Sequence, residues 1–163
     1  MKIFPKLLLI AAVAMTAAWA APQPKAAREP SPDQREITNF RLTTDNFNKY
    51  SNATAAMLKL TQSDAVLRKQ MEEEQKGKTL DQGAAALGSH PSISATLHGA
   101  GLSPREYLVM TGAVIGSTMA VGMKKQGMIK EIPPSISPEN AAFVEQNYEK
   151  VTALMQKMQE QNK

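Results

Sequence analysis

The sequence predicts an all-α fold, a compact bundle of four to six helices around one central apolar helix at about residues 104–125. Three observations carry that prediction. Apolar residues recur at three- and four-residue steps in window after window. Ser or Thr followed by helix-opening residues marks the start of several of these windows. The one stretch that alternates with period two, Ile37 to Leu42, is too short to found a sheet. A chain of 163 residues, 42% of them hydrophobic, suits a single domain with a modest core.

Residues 1–20 have the three-part build of a secretory signal peptide. Lys2 and Lys6 make a positive start, Leu7 to Met15 is uncharged and apolar, and Ala18-Trp19-Ala20 puts small residues where a signal peptidase reads. Cleavage is expected after Ala20. An uncleaved anchor is the competing reading, but Leu7 to Ala18 is short for a span of ~20 residues. Residues 21–36 are expected to be a disordered linker, with Pro22, Pro24, Pro30 and Pro32 set among Ala, Lys, Arg and Glu. The folded domain is expected over 37–163.

Within that domain, Thr43 or Thr44 can cap a helix with Asp45 in its first turn and Phe47, Tyr50, Thr54, Met57 and Leu58 on its apolar face. A more polar helix is expected over 63–76, with Ala65, Val66, Leu67 and Met71 inward and Gly77 as its stop. Thr79 caps a short helix through Leu87, ended by Gly88, and His90-Pro91 opens another that Gly99 and Gly101 close. Ser103-Pro104-Arg105-Glu106 is the strongest start signal, with Ser as cap, Pro in the first turn and Glu at the capping-box position.

The helix that follows is apolar all round, since Tyr107 to Met123 contains no charge. That pattern calls for burial on most sides. Gly112, Gly116 and Ala120 stand four apart and give it one smooth edge. A transmembrane span is the rival reading, but Thr111, Ser117 and Thr118 interrupt a stretch already below ~20 residues, so no stable span is expected. Gly127, Pro133 and Pro134 mark a connection. Ser137-Pro138 then opens one last helix with Val144, Tyr148, Val151, Met155 and Met158 inward.

Three segments together resemble a family of uncharacterised exported bacterial proteins. They are Phe40-Arg41-Leu42-Thr43-Thr44-Asp45 with Tyr50 downstream, Gly101-Leu102-Ser103-Pro104-Arg105-Glu106-Tyr107, and Ile136-Ser137-Pro138-Glu139-Asn140-Ala141-Ala142-Phe143-Val144. The resemblance covers about residues 37–158 and implies export and a helical fold. It brings no assigned activity and no catalytic residues.

Composition excludes several kinds of chemistry. With no Cys there is no thiol nucleophile and no Cys-ligated metal or disulfide. His90 and His98, the only imidazoles, would stand about 12 Å apart along a helix, too far to share a metal. No Gly-x-Ser-x-Gly elbow and no phosphate-cradling loop occurs. Glu72-Glu73-Glu74 reads as a solvated face with Lys69 and Lys76, because sequence neighbours point apart on a helix. Loss of Lys2 and Lys6 with the signal would leave a weak positive charge and few aromatics, which gives nucleic acid neither a phosphate track nor a stacking platform.

The expected function is therefore that of an exported, non-enzymatic helical module of the bacterial envelope, periplasmic or secreted. It would bind protein or ligand, with no cofactor and with envelope proteins as candidate partners. A Met-based copper protein is the first alternative. Thioethers suit Cu(I), and Met119 with Met123, and Met155 with Met158, share helix faces. Core packing is the bland reading of the same residues. The second alternative is an envelope chaperone. The chain is similar in size, export and helix content to the spheroplast-protein-Y type, although Leu60-Thr61-Gln62-Ser63-Asp64 carries Asp where that motif has Gln.

Overall fold

The structure is a computed structural model and describes residues 29–74 and 78–160. It contains α1 (Pro32–Asn39), α2 (Thr44–Ser63), α3 (Ala65–Glu74), α4 (Leu80–Ser89), α5 (Pro91–Gly99), α6 (Pro104–Lys125), α7 (Pro138–Gln146) and α8 (Tyr148–Glu160). No strand occurs among the described residues, so the fold is all-α. The expected signal peptide, residues 21–28 of the expected linker and the stop at Gly77 lie outside the described residues.

Side-chain caps set most helix starts. Ser31 with Gln34, Thr43 with Asn46, Thr79 with Gln82 and Ser103 with Glu106 each form a reciprocal capping box. Each box satisfies two backbone donors that a helix start otherwise leaves open. Ser137 caps α7 by accepting from the Asn140 amide. Asp64, whose Oδ1 accepts from the Leu67 amide at 2.9 Å, turns the chain from α2 into α3. The residue that departs from the chaperone-type motif is thus a cap.

Among the described residues eight helices replace the expected four to six, for two physical reasons. The expected linker ends early: Ser31-Pro32-Asp33-Gln34 spells the same Ser-Pro-x-acceptor signal as Ser103-Pro104-Arg105-Glu106, and residues 32–36 are helical. The expected last helix is broken at Asn147, whose Nδ2 donates to the Phe143 carbonyl at 2.9 Å while its backbone leaves the helical region. Smaller corrections follow the same logic. Gly88 does not stop α4, which runs to Ser89, and the extended His90 serves as the cap between α4 and α5. Among the described side chains of α3 only Leu67 is buried, and Val66, expected inward, is 69% exposed.

The centre of the bundle is α6, which packs on α1, α2, α4, α5, α7 and α8. By length and composition this helix could cross a membrane, yet in the fold it buries Val109, Met110, Ala113, Val114, Ser117, Ala120 and Val121 against its neighbours. The smooth edge is used by side chains: a Cβ on Gly112 would meet Ile37 Cδ1 of α1 at 2.8 Å, and one on Gly116 would meet Ile136 Cδ1 at 3.2 Å. Around α6 lie Tyr50, Ile93, Leu97, Val144 and Val151, all buried, and Phe47 meets Phe143 edge-on with centroids 5.6 Å apart.

Helix α1 has no fully buried residue; beside Ile37 packed on α6, directional contacts hold it. Arg105 of α6 grips Glu36 with Nε at 3.0 Å and a second nitrogen at 2.5 Å, and it also pairs with Asp81 of α4. Asp33 accepts from the Leu80 amide at 2.9 Å, and Thr38 donates to the Ser135 carbonyl at 2.9 Å. Beyond α1, Asn140 is 1% exposed and joins α7 to the segment between α1 and α2. Its Oδ1 accepts from the Leu42 amide at 2.8 Å and its Nδ2 donates to the Phe40 carbonyl at 2.7 Å.

Candidate functional site

The polar side chains most deeply placed in the fold are spent on architecture. Tyr50 and Tyr107 lie with ring centroids 5.4 Å apart, and the Tyr107 hydroxyl meets Thr54 Oγ1 at a long 3.4 Å. Burial pushes the Tyr107 phenol up to about 12, with Tyr50 beside it adding to the rise. Burial likewise raises the Tyr50 phenol. The Tyr50 hydroxyl is buried without a well-aligned hydrogen bond, although Thr111 and Thr54 stand near enough to hold its rise back; the Thr111 hydroxyl itself donates to the Tyr107 carbonyl at 2.7 Å. Both phenols are held in their neutral form and pack against each other.

The two histidines are kept apart. His90 stands at the junction of α4 and α5, and His98 is exposed near the C-terminal end of α5. Helix α5 separates them, with His90 in the extended cap before it. Of Glu72-Glu73-Glu74, Glu73 is exposed on α3, and the side chains of the other two lie outside the described residues. No group of three or more His, Asp or Glu suited to a metal occurs among the described residues.

The grooves are open and shallow. One of about 550 Å³ lies against α2, α3 and α8 and is lined by Ala55, Leu58, Lys59, Arg68 and Lys157 together with Glu160. A second, also about 550 Å³, runs along α1 beside Pro134 and Ser135. Neither converges buried polar groups on an apolar pocket, which is what a small-molecule site needs.

The methionines divide into two populations. Met57 and Met110 are buried, and Met155 and Met158 are half-buried against the core, as the packing reading expects. Met119 is 61% exposed, Met123 37% and Met128 59%. The four sequence candidates are therefore split. Met119 and Met123 face solvent at the end of α6, whereas Met155 and Met158 serve the underside of α8. In the last two turns of α6, Ala120 and Val121 stay buried, and Met119 and Met123 form the one apolar face that is left exposed.

Met128 joins the exposed pair through the backbone. After α6, Gly127 takes a left-handed φ of 72°, the Gly127 amide donates to the Lys124 carbonyl at 3.0 Å and the Met128 amide to the Met123 carbonyl at 2.9 Å. These two bonds are the Schellman pattern, which sets the residue after the glycine beside the one five positions earlier. Met119 stands one turn from Met123, offset by about 6 Å along the axis and about 40° around it. Three thioethers thus share one strip of surface. The neighbouring cations are engaged elsewhere: Lys124 pairs with Glu145 at 3.1 Å, and Lys125 lies 4.7 Å from the Tyr148 ring centroid. Sequence reasoning missed Met128 although its signal, a Gly-Met pair following the last helical turn, was present.

Compared with family models, curated proteins and solved structures, the chain has no match.

Proposed function

We propose that this protein is an exported, non-enzymatic binding module of the bacterial envelope whose contact surface is the methionine strip at the end of α6. One observation carries the reading. Of the four exposed large hydrophobic side chains among the described residues, Met119, Met123 and Met128 are gathered on one segment. Flexible, polarizable thioethers adapt to a partner's shape, and an apolar group of this kind left in water marks a contact site. Binding is favoured over catalysis because Asn140 and Arg105 are engaged in joining separate segments of the fold, and Glu106 and Ser137 in capping their own helices. Export is supported by the charged start, the apolar stretch and the Ala18-Trp19-Ala20 end of residues 1–20.

The test expresses the full chain in a Gram-negative host and isolates it from the periplasm. Export predicts a protein beginning at Ala21; a retained Met1 overturns it. Material captured with the wild type should be lost when Met119, Met123 and Met128 are changed to Ser and retained when Val66, the exposed apolar residue on α3, is changed to Ser. Equal capture by both variants overturns the assignment of the strip.

A further inference from the structure

We infer that Met119, Met123 and Met128 form a three-thioether site for a soft monovalent metal ion, Cu(I). The inference rests on the preceding reading of the strip as a contact surface and names its ligand. Ligand chemistry comes first. Thioether sulfur is a soft neutral donor that suits Cu(I) and discriminates against hard or strongly hydrated cations. In a chain without Cys, methionine is the only soft sulfur donor it can offer.

Placement comes second. The helical period brings Met119 and Met123 to one face, and the Schellman turn at Gly127 brings Met128 back to Met123. Each methionine has three rotatable bonds beyond its Cα, so sulfurs mounted this close can converge on one ion.

Exposure is the third point, and the fold supplies its own control. The same backbone motif ends α5, where the Gly101 φ is 75°, the Gly101 amide donates to the His98 carbonyl at 2.9 Å and the Leu102 amide to the Leu97 carbonyl at 3.0 Å. There the apolar pair is Leu97 and Leu102, both buried in the core. At the end of α6 the equivalent pair is Met123 and Met128, left in solvent. A pair that served only to close the turn has no need of sulfur, and burying it would stabilise the helix end further. Of the nearby cations, Lys124 is balanced by Glu145 and Lys125 is drawn to the face of Tyr148, while Lys130 follows Met128 by two residues.

The experiment titrates the full exported chain with Cu(I) under anaerobic conditions, in competition with a chromophoric Cu(I) chelator. X-ray absorption at the copper edge then reads the ligand shell. One ion per chain bound in a sulfur shell is expected. Each of Met119→Ser, Met123→Ser and Met128→Ser should weaken binding by about tenfold or more, while circular dichroism keeps its helical signal. The pair Met155→Leu with Met158→Leu should bind like the wild type. Unchanged affinity in the triple Ser variant, a shell of nitrogen and oxygen, or loss of binding only in the Met155 and Met158 variant would each overturn the site. Strip-dependent capture of a partner without Cu(I) binding would sink this inference alone, whereas failure of both would sink the strip as a functional surface.

Discussion

Replacing Asn140 should unfasten the N-terminal segment from α7. The side chain is 1% exposed and makes two bonds of 2.8 and 2.7 Å to Leu42 and Phe40, about a hundred residues away in sequence. Asn140→Ala removes both and leaves the amide of Leu42, a residue only 4% exposed, without an acceptor. A buried donor stranded in this way costs about 1–3 kcal/mol, and the lost bond to the Phe40 carbonyl adds about 1 kcal/mol. A net loss of about 3 kcal/mol is a large share of the 5–15 kcal/mol that holds a typical domain together. In urea it should lower the midpoint by about 1–2 M at unchanged slope. Asn140→Asp sharpens the test. It keeps an acceptor for Leu42 but sets a carboxylate oxygen against the Phe40 carbonyl, so burial and that oxygen favour the protonated form. A carboxyl raised in this way stabilises the fold at low pH, where it can donate to Phe40, and the contribution is lost as pH rises through its folded value. The Asp variant should therefore approach the wild type in acid and resemble or fall below the Ala variant at neutral pH. Asn39→Ala, an exposed neighbour, is the control and should change stability by less than about 0.5 kcal/mol. An Asn140→Ala midpoint equal to that of Asn39→Ala, or an Asp variant indifferent to pH, would refute the reasoning.

Three further outcomes are expected. Gly112→Ala should add about 1 kcal/mol of helix propensity in an Ile37→Ala background but little or nothing in the wild type, where its Cβ would stand 2.8 Å from Ile37 Cδ1. Equal effects in a double-mutant cycle would show that the notch is not occupied as described. Tyr50→Phe should leave stability unchanged or raise it by up to about 1 kcal/mol, because the hydroxyl it removes is buried without a well-aligned hydrogen bond; a loss above about 1 kcal/mol in chemical denaturation would mean that the hydroxyl is satisfied. Glu106 is held below the ordinary carboxylate range, chiefly by the Ser103 backbone amide and then by the Ser103 hydroxyl. Its contribution is present above the unfolded-state value and lost as pH falls through the folded one. Glu106→Gln keeps the capping-box acceptor and should flatten the acid limb of a stability-against-pH curve; identical acid limbs would contradict this.

Much of the fold was legible because helices announce their ends. The caps at Thr79, Ser103 and Ser137 and the bounds of the central helix follow from local hydrogen-bond chemistry that operates within four residues. The two missing elements fail for opposite reasons. Proline density around Pro30 and Pro32 suggests a tether, yet Pro32 occupies a first helical turn where proline is no obstacle, and Ser31 with Gln34 completes the box. At Asn147 the apolar period runs straight across the break, so periodicity cannot report it; an Asn side chain competing for the Phe143 carbonyl can. The three segments behind the family resemblance turn out to be junctions. Asn140 ties the first to the third, and Arg105 in the second binds Glu36 and Asp81. Asn140 and Arg105 are thus spent on assembly.

The methionine strip was harder to read for a reason of its own. A helical stripe shows which residues share a face, but whether that face is covered depends on which other element arrives there. Along one side of α6 the cover is Ile37 at Gly112 and Ile136 at Gly116, two residues far apart in sequence. Beyond Gly116 the same face continues to Met119 and Met123, which remain exposed. Apolar periodicity does not distinguish the covered half from the bare half; the glycines, which leave room for Ile37 and Ile136, do. So does the comparison of helix ends: α5 and α6 close with the same left-handed glycine and the same pair of backbone bonds, yet one buries two leucines and the other exposes two methionines. Turn geometry accounts for the proximity in both cases and for the exposure in neither. What differs is the side-chain type at the exposed end, and a third methionine one turn away makes that difference a set of three. Substituting Leu at all three positions would preserve the apolar surface and remove the sulfur, so a shape-driven contact should survive that change and Cu(I) binding should not.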